Sequence, residues 1–258
     1  MTAPPERAHQ RGALRGLSAG AALLILAPLA AIAMTGCNSV QSQTLNAEGV
    51  ALYKQGAYLQ SADKFQQAIA KTPDQGDGYY NLAAALHQSG VRMNRPDDLR
   101  QAEVLYNQCL ERSPDNAECY RGLAVLLTET NRRDAAFRLL NNWAIASPSN
   151  ADARVELARL HEESQQPQLA ESQLVQALTI DPADSRALAA LGRLRDAAGQ
   201  TQQALQNYER SLAVNRFQPQ VAARVATLRA SGAGATYQAA TPTTTRLSNQ
   251  WTTPTQRY

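Results

Sequence analysis

One phrase recurs at a fixed distance along this chain. "SPDNAECYRGLA" begins at Ser113, "SPSNADARVELA" at Ser147 and "DPADSRALAALG" at Asp181, each 34 residues after the last. Pro114, Pro148 and Pro182 keep that spacing, as do Leu123, Leu157 and Leu191, and Ala136, Ala170 and Ala204. A period of this length marks stacked supersecondary units, none of which can bury its apolar face alone. Each unit reads as two helices. Val155, Leu157, Ala158 and Leu160 recur at helical spacing, and so do Leu169, Ala170, Leu174, Ala177 and Leu178. Proline stops each second helix, and Asn or Asp caps the next first helix. Only 5% of the chain is aromatic, so alanine and leucine must supply the core, which suits closely packed helices better than sheets.

The order of leucine, small residue, alanine, aromatic, alanine and closing proline resembles the tetratricopeptide repeat. It is carried by Leu157, Ala158, Ala170, Leu174, Ala177 and Pro182 in one unit and by Leu188, Leu191, Gly192, Gly199, Ala204 and Tyr208 in the next. Upstream it is carried by Tyr79, Leu82, Ala83, Ala102, Tyr106 and Pro114, and by Gly49, Gly56, Phe65, Ala68 and Pro73. The resemblance implies an all-α solenoid of about five helix pairs over residues 42–218. "PQVAARVATLRA" over residues 219–230 reads as a capping helix, which a solenoid needs on its last open face. Between Gly90 and Ala102 the second unit carries seven more residues than the fifth has between Gly199 and Ala204. "VRMNRPDD" is therefore expected to form a protruding loop, with Pro96 opening the next helix. Trp143 stands where the pattern has alanine and reads either as bulky core or as a prop between units.

The chain opens with Arg7, Arg11 and Arg15, followed by the uncharged run "LSAGAALLILAPLAAIAM" and then "TGCNS". Basic start, apolar middle and small residues is the order of a signal peptide, although the run also approaches bilayer-spanning length. Met34, Thr35, Gly36 and Cys37 resemble the lipobox of bacterial lipoproteins. That resemblance implies cleavage after residue 36 and lipid on Cys37. Asn38 is not the aspartate that retains such proteins at the inner membrane, which implies an outer-membrane address facing the periplasm. Residues 37–41 then read as a polar tether. Residues 231–258, rich in Thr, Pro and Gln, cannot build a core and are expected to be disordered.

Net charge is +3, most of it in the leader, so there is no electrostatic case for nucleic acid. Catalytic motifs are absent, and no enzyme activity, cofactor or metal site is expected. Glu156, Glu162 and Glu163 read as a solvated helix face, and His161 as a packed histidine. Cys109 and Cys119 lie on consecutive helices that should touch. A disulfide between them and a pair of buried thiols are both compatible with the spacing.

In tetratricopeptide proteins the first helices line a groove that receives a peptide. Transferred by position, that groove presents Tyr53, Lys54, Tyr80, Asn81, His87, Arg121, Glu129, Arg159, Glu162 and Arg193. Tyr80 and Arg121 are expected to face solvent, with Arg121 and Arg159 orienting an acidic partner. The implied role is a lipid-anchored scaffold that holds a protein partner at the bacterial envelope. "NYERSLAVNRFQPQVA" resembles assembly factors of pili and secretion systems. The alternative is an adaptor that recruits peptidoglycan-modifying enzymes.

Overall fold

The computed structural model describes residues 23–231, with side-chain surroundings from residue 38 onward. The described residues form eleven helices and no strand. They alternate as first and second helices of five units: α1 (Leu23–Lys54) with α2 (Tyr58–Lys71), α3 (Gly76–Arg92) with α4 (Pro96–Arg112), and α5 (Ala117–Glu129) with α6 (Arg133–Ala146). The series continues with α7 (Ala151–Glu163) and α8 (Pro167–Ile180), α9 (Ser185–Ala197) and α10 (Thr201–Val214), and ends on α11 (Pro219–Ala230). This is the all-α solenoid that the repeat predicts. The leader before residue 23 and the tail after residue 231 lie outside the described residues.

Two local devices repeat along the array. Two residues past the end of every first helix stands a residue with positive φ: Gly56, Asn94, Asn131, Gln165 and Gly199. The next residue returns a backbone bond to the last turn, as in Arg95 N to Gly90 O and Arg132 N to Leu127 O, at 2.9 and 2.7 Å. That left-handed cap reverses the chain in three residues and favours glycine or asparagine. At the opposite edge the recurring phrase builds the turn into the next unit. Ser113, Ser147 and Asp181 end second helices, and Asn116, Asn150 and Asp184 accept first-turn amides through their side chains.

The seven extra residues of unit two form no loop. The positive-φ residue moves from Gly56 to Asn94, a step of 38, and from there to Asn131, a step of 37. Four residues have thus gone into α3 and three into α4. Both helices grow by about one turn beyond their neighbours, and the reversal itself stays short. Lengthening a helix satisfies its added backbone groups internally, whereas a loop would leave them to solvent. The expected tether also differs. Residues 37–41 are helical and continuous with the rest of α1. Ser42 is already buried, with its Oγ 3.2 Å from Ala68 O and 2.7 Å from Thr72 Oγ1.

Glycine marks where helices meet side chains. A Cβ on Gly192 would stand 2.7 Å from the Tyr208 ring, and one on Gly49 would meet the Phe65 ring equally closely. Trp143 is fully buried and stacks on Tyr120 at 4.1 Å, so it serves as core.

Candidate docking site on the first helices

The first helices carry a run of buried charge. Glu156 on α7 is completely buried. Its Oε1 lies 2.8 Å from Arg121 Nε on α5, and its Oε2 lies 3.2 Å from Arg159 Nε. Arg159 also donates to Glu163, while its Nη2 is buried without a partner. The reading of Glu156 as part of a solvated face is thereby corrected. It falls between Val155 and Leu157, both buried, and that apolar flanking was the available signal. Glu162 lies 2.6 Å from Arg193 Nη2, which links α7 to α9.

The structure places the other groove residues mostly inward. Tyr80 is 1% exposed and lies 6.1 Å from the Tyr106 ring; Arg121 is 8% exposed. The expectation that both face solvent fails, because each first helix packs against helices on two sides and only a narrow arc stays open. Burial raises the Tyr80 phenol far above its ordinary range, with the Arg121 charge opposing. Asn81 donates to Asn46 Oδ1 at 2.6 Å, joining α3 to α1. His87 is buried between Glu129 Oε2 at 2.9 Å and the Tyr106 hydroxyl at 3.4 Å. Tyr53 is buried too, whereas Lys54 and Arg193 are exposed and Glu129 and Glu162 half-buried. The groove residues thus form ties between successive units more than an open lining. Arg121 and Arg159 face their own carboxylates, so they are not the receptors for an acidic partner that the sequence suggests.

An open space lies nearer the turns between units. A pocket of about 850 Å³ is bounded by Asp77, the 113–118 turn, Arg121, Asp152 and Arg186. Asp77, Glu118, Asp152 and Arg186 hold the same place, the second residue of α3, α5, α7 and α9. An acid there suits the positive end of the helix. Arg186 reverses that preference and is held by Asp152. Burial, followed by repulsion from Arg121, lowers its guanidinium to about 10, with Glu118 opposing. Asp77 accepts from Asn116 Nδ2 at 3.2 Å, and Asp115 from Ser147 Oγ at 2.5 Å. Sequence reasoning passed over all four second-position residues, although the 34-residue spacing of Glu118, Asp152 and Arg186 was visible.

Cys109 and Cys119 form a disulfide, with Cα atoms 6.3 Å apart. It joins the end of α4 to the start of α5 beside this pocket. No group of three or more His, Cys, Asp or Glu that could hold a metal occurs among the described residues. Nor is any helix among them long and apolar enough to cross a membrane.

Two family models for the tetratricopeptide repeat match the sequence, one over residues 46–90 and one over residues 96–146. The chain contains tetratricopeptide repeats. No curated protein matches it. Among solved structures, a thermophilic tetratricopeptide protein of Thermus thermophilus superposes with a TM-score of 0.54 at 21% identity, over 73% of this chain and 99% of that one. The APC/C hetero-tetramer Cut9–Hcn1 gives 0.50 at 14% identity, over 74% of this chain and 36% of that one. PilF of Pseudomonas aeruginosa gives 0.49 at 15% identity, over 75% and 89%. For the first two, at these identities, the likeness is one of fold alone. Tetratricopeptide repeats bind protein partners, and a protein-interaction scaffold is the general class of this chain.

Proposed function

We propose that this protein is a lipid-anchored scaffold of the bacterial envelope that docks a protein partner in the pocket at the starts of α3, α5, α7 and α9. The observation that carries the reading is the pocket itself, where four successive units bring a charged second residue to one place. Its wall holds Asp77, Asp115, Glu118 and Asp152 against Arg121 and Arg186, and both arginines already face carboxylates. The surplus is negative. A partner segment bearing lysine or arginine suits it, since charge complementarity raises encounter rate and fixes register. The basic leader, the apolar run and "MTGC" support lipid on Cys37, and Asn38 supports an outer-membrane location. The resemblance of the 207–222 stretch to assembly factors supports a role in building a pilus or secretion complex.

Two measurements test this. Intact mass of the mature protein should show a lipid-modified chain beginning at Cys37, and Cys37→Ser should release the protein from membranes. An unmodified Cys37 would end the anchored reading. Affinity capture from detergent-solubilised envelopes should recover a partner with the native chain and lose most of it with Asp77→Lys and Asp115→Lys together. Recovery at the native level by that variant would place docking elsewhere.

A further inference from the structure

The turn that lines most of the pocket is enclosed by a covalent bond. Six of the ten residues that line it, Ser113 through Glu118, lie within the loop tied by Cys109 and Cys119. The same turn closes elsewhere in the array without such a bond. The next junction makes the same turn with Trp143 and Ala153 at the two positions, and the one after with Ala177 and Ala187. The closing bonds match: Ser113 N to Cys109 O, Ser147 N to Trp143 O and Asp181 N to Ala177 O are each 2.8 Å. A cross-link at a junction that closes without one removes freedom from the segment it encloses. Here that segment carries Asp115, Glu118 and Asn116, whose Nδ2 reaches across the unit boundary to Asp77.

We infer that Cys109 and Cys119 are positioning residues of the docking site: their disulfide pre-sets the 113–118 turn so that the pocket carboxylates meet a partner without first being ordered. Preorganisation of this kind raises affinity by reducing what binding must immobilise. The bond forms by thiol–disulfide exchange with a protein disulfide oxidant of an oxidising compartment. The two thiols give up two protons and two electrons, and the oxidant's disulfide becomes a dithiol. Both cysteines are fully buried in the finished array. The bond is thus set during folding, and later reduction has to wait for the α4–α5 junction to open.

This role rests on the pocket being the docking site, but its test needs no partner, so the two readings fail separately. The native chain is compared with Cys109→Ala/Cys119→Ala, which copies the Ala177/Ala187 pair and should fold with the same helical circular dichroism. The Asn116 side-chain amide, followed by nuclear magnetic resonance, reports the bond to Asp77. Amide hydrogen exchange reports the turn. In the native chain the Asn116 resonances should be dispersed and slowly exchanging, and in the variant they should move toward free-amide values. Exchange over residues 110–119 should speed up about tenfold or more, with α7 to α10 unchanged. Identical Asn116 resonances in the two proteins would overturn the inference. So would alkylatable thiols in the exported chain, or loss of helix throughout the variant, which would make the bond a support of the fold.

Discussion

Glu156 is the residue on which most of the buried charge turns. Two guanidiniums hydrogen-bond its carboxylate and that of Arg186 stands 4.0 Å away, while Glu156 itself is wholly buried. Removing one partner from such a set strands the others, a loss of about 3–5 kcal/mol. Glu156→Ala should therefore lower stability by that order, read from urea unfolding, while Glu162→Ala on the half-buried neighbour should cost under about 1 kcal/mol. The buried tyrosines give the protein an alkaline limit. Burial raises the phenols of Tyr80, Tyr106 and Tyr208 above their ordinary value of 10.0. Above that pH the unfolded chain releases protons that the folded chain keeps, so each such group removes about 1.4 kcal/mol per pH unit. Arg186, whose guanidinium burial lowers to about 10, acts in the opposite sense above that value. One group against three leaves a net fall, so helix should be lost above pH 10, and the Tyr80, Tyr106 and Tyr208 phenols should ionise only with that loss. Ionisation of these three rings well ahead of helix loss, followed by site-resolved nuclear magnetic resonance, would contradict this. At this scale the sequence was least legible. Repeat position identified Tyr80, Arg121 and Arg159 as first-helix residues. It did not say that α4 would cover Tyr80 or that α7 would cover Arg121, because burial there depends on how one unit leans on the next.

Helices were far easier to read. Small residues at 34-residue spacing marked the crossings, and Ala136, Ala170 and Ala204 are all fully buried. Ala170→Trp should overpack the α7–α8 crossing by about 1–3 kcal/mol, and Gly192→Ala should push Tyr208 at a comparable cost. Thermal melts of both variants check this, and an unchanged melt for either would mean the crossing has room. The seven-residue excess of unit two was legible as a number and misread as a shape. Spacing counts residues between landmarks but does not say whether they extend helices or leave them. The positive φ of Asn94 decides it, and asparagine is among the residues that most readily take that conformation. "MNR" was thus a cap signal inside what read as a loop.

Across the whole molecule the interior is divided. One apolar cluster runs from Val50 to Leu160, a second from Ala151 to Leu191, and a small third from Ala204 to Leu228. The first two share α7, which gives Leu157 and Leu160 to one side and Val155 and Ala158 to the other. In a linear array each unit is held only by its neighbours, so the end resting on the smallest cluster should open first. In a Trp251→Phe background, urea should remove ellipticity before it changes the fluorescence of Trp143, which sits in the largest cluster. Coincident transitions would show a single cooperative unit.

The unbroken course of α1 bears on where the protein can reach. From Cys37 to Ser42 is five residues of helix, a rise of about 7.5 Å, and Ser42 is already locked to the second helix. A loose linker would let the array sweep a hemisphere above its attachment point. A helical stub keeps the start of the array within about 7.5 Å of residue 37. If Cys37 bears the lipid, the first unit stays close to the bilayer surface, so the stub selects partners by reach before any side chain selects by charge.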